Sequence, residues 1–254
     1  MLNIHIRSLL ICILFSWISN PVFAEQKGYL LFNGQYSRLQ TDSEQSFTVY
    51  RVGPEEAKQA ILLIHGWWGL NHEIEAWADQ YAMAGYRVMA IDIYNCQVTK
   101  SPVIAKKYMR EVKQAEANEK YLAAIKALSE PDRKIAVIGR SYGANQALHA
   151  TLVAQERVSA TIVYYPYGEL VTDKNKLETI KTPILGHFAR NDFFFSPARL
   201  TDFTSATEKS GLSMTVNMYE ASHGFDKSTG NNFNNPAHKL AQNRTYQFLN
   251  KYLN

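Results

Sequence analysis

A chain of 254 residues with 46% hydrophobic and 20% charged residues has the composition of an ordinary globular protein, which excludes disordered, collagen-like and repeat-array chains. The formal net charge of +4 is small for this length and is spread along the chain, so nucleic acid is not an implied partner. The length suits one large α/β domain or two small ones.

The first 24 residues follow the three-part pattern of a secretory signal peptide. Arg7 forms a short basic region, and an apolar run follows over residues 9–18. Val22-Phe23-Ala24 ends the segment with small residues at the positions that a signal peptidase recognises. The alternative is a membrane anchor, but this run is shorter than the roughly 20 residues that span a bilayer. We therefore expect no stable membrane anchor, and a mature chain of residues 25–254 that is exported to a periplasm or to the cell exterior.

The two cysteines cannot form a disulfide in the exported chain. Cys12 lies within the predicted signal peptide, so Cys96 is left without a partner. No helix start follows Cys96, which favours a packed or incidental cysteine over a catalytic thiol.

The first half of the mature chain alternates strand-like and helix-like segments. Two antiparallel strands are predicted at residues 29–33 and 46–52, separated by a polar turn region. The apolar run at residues 60–66 is typical of a strand that is buried on both faces. Residues 71–84 are predicted to form a helix. Its inward face is apolar and consists of Ile74, Trp77, Ala78, Tyr81 and Ala82.

A strand is then predicted at residues 87–94, followed by one long helix from Ser101-Pro102 to about Leu128. The outer face of this helix is rich in lysine and glutamate, including a Glu116–Lys120 pair, which is typical of a solvated surface. Its predicted inward face consists of Tyr108, Val112, Ala115, Leu122 and Ile125.

The same alternation continues to the C terminus. The predicted strands are at residues 134–139, 160–165, 182–188 and 213–219, and the predicted helices are at 142–154, 197–210 and 235–252. This order predicts a mostly parallel sheet with helices on both faces, in one α/β domain over residues 25–254 that has no large lid. Ligands of such sheets bind at the carboxyl ends of the strands, where the functional residues are therefore expected.

The pattern Gly139-Arg140-Ser141-Tyr142-Gly143 lies between a predicted strand and a predicted helix. This is the context of a nucleophile elbow, a tight turn in which flanking glycines avoid clashes and the serine lies at a helix N-terminus. The alternative is a glycine-rich turn with a capping serine, but capping does not require the second glycine. We therefore predict that Ser141 is a nucleophile.

A nucleophilic serine needs a base, and the base needs an orienting acid; in this arrangement the chain order is serine, acid, histidine. Asp192 and His223 each follow a predicted strand after Ser141, so both are expected beside it. Other histidines fit less well, since His187 lies inside a strand and is expected in the core, whereas His65 precedes the serine.

Two backbone N–H groups are expected to hold the oxyanion. Tyr142 follows the nucleophile and provides one, and we assign the second to Trp67, in the loop of residues 65–70. Trp67 and Trp68 are equally consistent with core packing and with an apolar wall for substrate.

These residues resemble the dienelactone hydrolase family over residues 61–253. The landmarks are Ile64-His-Gly-Trp-Trp-Gly-Leu-Asn71, the elbow, Val163-Tyr-Tyr-Pro-Tyr-Gly168, Arg190-Asn-Asp192 and Tyr219-Glu-Ala-Ser-His-Gly-Phe225. The resemblance implies an α/β-hydrolase fold, small-molecule ester or lactone substrates, and no metal or cofactor. It also implies catalytic roles for Ser141, Asp192 and His223.

Three departures from the family pattern bear on specificity. The best-known members have a cysteine nucleophile and a glutamate in the oxyanion loop, where this chain has Ser141 and Gly66. Those members also bind a substrate carboxylate with two arginines, and Lys227 at one of these positions keeps the charge but not the bidentate geometry. We therefore expect Lys227 to bind substrate, without true dienelactone specificity.

The sequence thus predicts an exported serine esterase that works through an acyl-enzyme. One alternative is a peptidase or amidase on the same three residues, which faster cleavage of p-nitroanilides than of esters would favour. The other is an exported binding protein that keeps the fold without activity, which a missing entry pocket would favour.

Overall fold

The computed structural model describes residues 34–167 and 174–254, in which eight strands form one sheet. The predicted signal peptide, the predicted strand at residues 29–33 and Gly168 lie outside the described residues. The strands are β1 (Gln35–Gln40), β2 (Ser46–Val52), β3 (Gln59–Ile64), β4 (Arg87–Ile91), β5 (Lys134–Arg140), β6 (Ala160–Tyr164), β7 (Ile184–Asn191) and β8 (Met214–Ser222).

The strand order is β1-β2-β4-β3-β5-β6-β7-β8. The pairs β1–β2 and β2–β4 are antiparallel, and the pairs from β4 to β8 are all parallel. The predicted mostly parallel α/β sheet is therefore confirmed. Because the remaining strands are parallel, the carboxyl ends of β3, β5, β7 and β8 meet at one edge of the sheet.

Helices cover both faces of the sheet. They are α1 (His72–Met83), α2 (Pro102–Glu111), α3 (Gln114–Leu128), α4 (Tyr142–Ala154), α5 (Lys174–Leu177), α6 (Pro197–Lys209) and α7 (Asn235–Leu253), with a short 3-10 helix at Gln155–Arg157. Alternate residues of β3 enter opposite cores: Leu62 packs with residues of α3 and α4, and Leu63 packs with residues of α1 and α7. Among the helices of the described ranges, none has both the length and the apolar character needed to cross a bilayer.

Helix α1 confirms the predicted inward face and lies within one residue of its predicted bounds at each end. Its buried residues are the five that the periodicity places inward: Ile74, Trp77, Ala78, Tyr81 and Ala82. The Asn71 side chain caps the helix, accepting hydrogen bonds from the N–H groups of Glu73 (3.1 Å) and Ile74 (3.3 Å). Local periodicity and a local cap suffice here because the helix is continuous.

The single long helix predicted from Ser101 to Leu128 is wrong. The chain forms α2 and α3, separated by extended backbone at Val112 (φ −66°, ψ 112°) and Lys113 (φ −81°, ψ 116°). A break of two residues changes the phase of an apolar stripe, which periodicity alone does not reveal. As a result Leu122 is 44% exposed, while the inward residues of α3 include Tyr121.

The prediction of a solvated Glu116–Lys120 pair is also wrong. Lys120 is buried, and its ammonium group donates to Asn95 Oδ1 at 2.8 Å, whereas Glu116 pairs with Lys113 at 2.9 Å. The long aliphatic stem of lysine can pack inside the protein when its charged end reaches an acceptor.

Strand β1 forms in the region predicted as a polar turn. It lies at the sheet edge and pairs with β2 in register from Gln35 with Arg51 to Gln40 with Ser46. Its residues alternate between exposed and half-buried, so it lacks the apolar run that marks an interior strand.

His187 lies in the core, as predicted. Its Nδ1 is hydrogen-bonded to the Tyr219 hydroxyl (2.7 Å) and its Nε2 to the Thr245 hydroxyl (2.9 Å), at a site closed to solvent. Burial disfavours the charged imidazolium and lowers the pKa of His187 to about 3.

The stability of the protein is expected to fall on acidification because of His187. In the unfolded chain, His187 binds a proton below its ordinary pKa of about 6.5, whereas in the folded chain it stays neutral down to about pH 3. Between these two pH values the unfolded state therefore binds more protons than the folded state. The free energy of unfolding is therefore expected to decrease by up to about 1.4 kcal/mol per pH unit below about pH 6.5. Urea titrations of wild type and His187→Gln should give a shallower pH slope for the variant. Equal slopes would contradict this assignment.

Candidate active site

Ser141 lies in a sharp turn between β5 and α4. Its backbone has φ 56° and ψ −122°, a conformation that is strained for a residue with a side chain. The turn is held by three backbone hydrogen bonds: Ser141 N–H donates to the Tyr164 carbonyl (2.9 Å), and the Ser141 carbonyl accepts from the N–H groups of Ala144 (2.9 Å) and Tyr167 (3.2 Å). The serine hydroxyl is thereby held at the carboxyl edge of the sheet.

The two glycines of the elbow allow close packing, as the motif predicts. A Cβ atom on Gly139 would lie 1.9 Å from the carbonyl oxygen of Gly143. A Cβ atom on Gly143 would lie 2.3 Å from the carbonyl oxygen of Ile64, in β3. Helix α4 therefore packs on β3 and β5 without room for a methyl group.

The structure brings Ser141, His223 and Asp192 into one hydrogen-bonded chain. Ser141 Oγ lies 2.8 Å from His223 Nε2, and His223 Nδ1 lies 2.8 Å from Asp192 Oδ2. The Asp192 side chain is 1% exposed and that of His223 is 15% exposed. The three residues come from the loops after β5, β7 and β8.

The second oxygen of Asp192 fixes the direction of this chain. Asp192 Oδ1 accepts hydrogen bonds from the N–H groups of Phe194 (2.8 Å) and Phe195 (3.2 Å). The carboxylate is then left to accept the Nδ1 proton of His223, so that the free Nε2 can accept the Ser141 proton. This arrangement can perform general-base activation of an alcohol.

Aromatic rings surround the imidazole of His223. The ring centroids of Tyr165 and Phe194 lie 4.9 Å and 5.0 Å from that of His223. Trp67 extends this group, with its ring centroid 6.2 Å from that of Phe194 and 4.5 Å from that of Trp68. Both tryptophans are half-buried and line a cavity beside Ser141, so their side chains form a wall of that cavity rather than part of the core.

His65 orients the loop that was expected to supply an oxyanion donor. Ile93 N–H donates to His65 Nε2 (3.2 Å), so the proton of the neutral ring is on Nδ1, which donates to the Gly66 carbonyl (2.7 Å). Because the C=O and N–H of a trans peptide point in opposite directions, the Trp67 N–H points away from His65. Gly66 adjoins the nucleophile elbow, since its Cβ position lies 3.8 Å from Ser141 Cβ.

The cavity beside Ser141 has a volume of about 210 Å³. Lys227 lines it, as expected for a substrate-binding residue, but its ammonium group lies 2.8 Å from Glu73 Oε2. Glu73 and Arg140 also line the cavity, and neither is among the site residues predicted from the sequence. The available signals were the position of Arg140 within the elbow and the position of Glu73 in the first turn of α1, just after the oxyanion loop.

Comparisons with known proteins identify a family and a fold. The model of the dienelactone hydrolase family matches residues 47–253. A candidate carboxymethylenebutenolidase of Aquifex aeolicus is 26% identical over 187 residues, covering 69% of this chain and 80% of that protein. Another from Saccharolobus solfataricus is 27% identical over 237 residues, covering 78% and 91%. The crystal structure of a candidate dienelactone hydrolase from Klebsiella pneumoniae has the same fold, with a TM-score of 0.75 at 14% identity over 86% of this chain and 99% of that one.

Proposed function

Because the chain belongs to the dienelactone hydrolase family, we propose that it is a serine esterase that cleaves carboxylic esters or lactones through an acyl-enzyme on Ser141. The observation that carries this proposal is the hydrogen-bonded chain from Ser141 Oγ through His223 to Asp192, at the edge of an open cavity. The open cavity also argues against a binding protein that keeps only the fold.

In the first half of the reaction, Ser141 Oγ attacks the ester carbonyl carbon while His223 Nε2 takes the hydroxyl proton. Asp192 stabilises the imidazolium that forms, and the N–H groups of Trp67 and Tyr142 stabilise the negative charge on the carbonyl oxygen. The C–O bond to the alcohol then breaks, and His223 gives its proton to the departing alcohol.

In the second half, a water molecule replaces the alcohol. His223 Nε2 takes a proton from this water as its oxygen attacks the carbonyl carbon of the acyl-enzyme. The bond to Ser141 Oγ breaks, and the proton held by His223 returns to the serine oxygen. The products are a carboxylic acid and the regenerated enzyme.

Labelling with a fluorophosphonate probe tests this proposal directly, because the probe reacts with activated serines. We expect the purified protein to be labelled, and Ser141→Ala and His223→Ala to remain unlabelled while they stay folded by circular dichroism. Labelling that survives in Ser141→Ala would place the nucleophile elsewhere.

A parallel assay of p-nitrophenyl esters against p-nitroanilides is expected to show faster ester cleavage, and the reverse would indicate an amidase.

Asp192→Asn is expected to lower kcat by about 10³- to 10⁴-fold. The amide oxygen of the new side chain can still accept from Phe194 and Phe195 N–H, so its NH₂ group faces His223 Nδ1. That contact forces the imidazole proton onto Nε2 and removes the base. Steady-state kinetics with p-nitrophenyl butyrate measures the effect, with Asp202→Asn on α6 as the control for a lost carboxylate. A loss of less than about tenfold would show that Asp192 does not set the tautomer.

We also propose that the enzyme acts after export, on the basis of the signal-peptide pattern in residues 1–24. Expression of the full chain in a bacterial host, followed by fractionation and N-terminal sequencing, tests this proposal. The expected result is protein outside the cytoplasm that begins at Glu25. Uncleaved protein in the cytoplasmic fraction would contradict it.

A further inference from the structure

Four charged side chains form a cluster beside Ser141, of which Glu73, Arg140 and Lys227 line the cavity and Asp226 lies behind them. Arg140 Nη2 lies 2.6 Å from Asp226 Oδ2, and Arg140 Nη1 lies 3.7 Å from Glu73 Oε1. Lys227 Nζ lies 2.8 Å from the other oxygen of Glu73. Glu73 therefore stands between the two cations, with one carboxylate oxygen towards each.

The arginine of this cluster is fixed in place. Its side chain is 8% exposed, and its guanidinium group stacks on the Trp77 ring at 3.5 Å from the centroid. Asp226 is more deeply buried and also accepts a hydrogen bond from the Tyr165 hydroxyl. The Arg140–Asp226 pair thus belongs to the framework of the cavity and is not available to a ligand.

The lysine of the cluster is the cation that a ligand could reach. Lys227 and Glu73 are each about one-quarter exposed, and both line the cavity. The two positive and two negative charges of the cluster cancel, so the wall presents no net charge to a substrate. A carboxylate that entered would lose its water and would have to displace Glu73 from Lys227, which is costly for a partly buried ion pair.

We propose that Glu73 determines specificity by making this cavity selective for uncharged substrate groups, an inference that rests on the serine esterase proposed above. The rest of the wall suits such groups, since Trp67 and Trp68 offer apolar surface and Asn231 and Asn232 offer uncharged polar atoms. Lys227 then serves as the partner of Glu73 and not as the anchor for a substrate carboxylate.

The test compares matched esters that differ in one charge. One pair differs in the acyl group, p-nitrophenyl hexanoate against p-nitrophenyl hemiglutarate, and the other differs in the alcohol, acetyl p-hydroxybenzamide against acetyl p-hydroxybenzoate. In wild type, we expect kcat/KM to favour the neutral ester in the pair whose variable half enters the cavity. Glu73→Gln frees Lys227 and is expected to raise the charged-to-neutral ratio of that pair by about tenfold.

Glu75→Gln is the matched control for this change. It removes the same charge from the same first turn of α1, but Glu75 contacts His72 (2.8 Å) and the Tyr36 hydroxyl instead of the cavity cluster. The charged-to-neutral ratio is expected to stay at its wild-type value in this variant. A ratio that is unchanged in Glu73→Gln for both pairs, or that rises equally in Glu75→Gln, would overturn the proposal.

Lys227→Gln tests the same proposal with substrates of the opposite charge, and it replaces Glu73→Gln if that variant does not fold. Loss of the ammonium group leaves the Glu73 carboxylate facing the cavity, so esters with a trimethylammonium group on the acyl or alcohol half should gain relative to neutral ones. The absence of any gain in a folded variant would count against Glu73 as the charge selector. If the esterase proposal itself fails, wild type neither turns over the neutral esters nor reacts with fluorophosphonate, so the two failures are distinguishable.

Discussion

Ser141→Ala is expected to hydrolyse p-nitrophenyl butyrate with a kcat about 10⁴- to 10⁶-fold below that of wild type. The hydroxyl that lies 2.8 Å from His223 Nε2 is the atom that we propose forms the acyl-enzyme, so its removal is expected to block the two-step reaction. The remaining rate would come from the oxyanion donors and from binding of the ester. Pre-steady-state kinetics provide a second measurement. The variant should show no initial burst of p-nitrophenol in an amount equal to that of the enzyme.

The fold is expected to survive this substitution. Alanine keeps the Cβ atom that Ser141 already carries at φ 56°, so the strained turn gains no new clash. Thermal unfolding of the variant should therefore match that of wild type to within a few degrees. Ser213→Ala is the matched control, since Ser213 precedes β8 at the opposite edge of the parallel sheet and should keep full activity. A Ser141→Ala rate within tenfold of wild type would mean that His223 activates water directly.

The parts of this site that the sequence predicts are those that depend on local patterns. The elbow is recognisable because Gly139, Ser141 and Gly143 lie within five consecutive residues between a strand and a helix. Asp192 and His223 are distant in sequence, yet parallel strands carry their carboxyl ends to one edge, so their order along the chain predicted their convergence.

The parts that the sequence does not predict depend on which side chains meet across the fold. Glu73 and Lys227 come from opposite halves of the chain, and no spacing rule relates them. Arg140 is a variable position of the elbow motif, and only the packed structure shows that it stacks on Trp77 and pairs with Asp226. The expectation that Lys227 binds substrate came from its match to a substrate-binding arginine of the family, and that match does not reveal its pairing with Glu73.

The helix break at residues 112–113 shows the same limit at the level of secondary structure. The Leu122 side chain matches the apolar stripe of an uninterrupted helix, but the break turns it outward and turns Tyr121 inward. Inside the core, Tyr121 donates to Gln146 Oε1 of α4 at 2.7 Å. This contact is formed with another helix, so the sequence of α3 alone does not encode the phase.

Gly143→Ala is expected to lower the free energy of unfolding by about 3 kcal/mol, at the upper end of the range for overpacked cores. The added methyl carbon would lie 2.3 Å from the carbonyl oxygen of Ile64 and 2.5 Å from that of His65. Both atoms belong to backbone, so no side chain can rotate away, and relief requires that α4 move off the end of β3. Urea unfolding measures the loss of stability.

The same movement should reduce activity in whatever fraction of Gly143→Ala remains folded. The segment that the methyl group pushes leads directly into the loop whose Gly66 carbonyl is held by His65, so the proposed oxyanion donor Trp67 would be displaced. Gly66→Ala is the control for stability, because its nearest contact, the Arg140 carbonyl oxygen, would lie at 3.4 Å and its φ does not require glycine. Gly143→Ala with wild-type stability would show that α4 can shift freely, and the close packing of the elbow would then not be what positions Ser141.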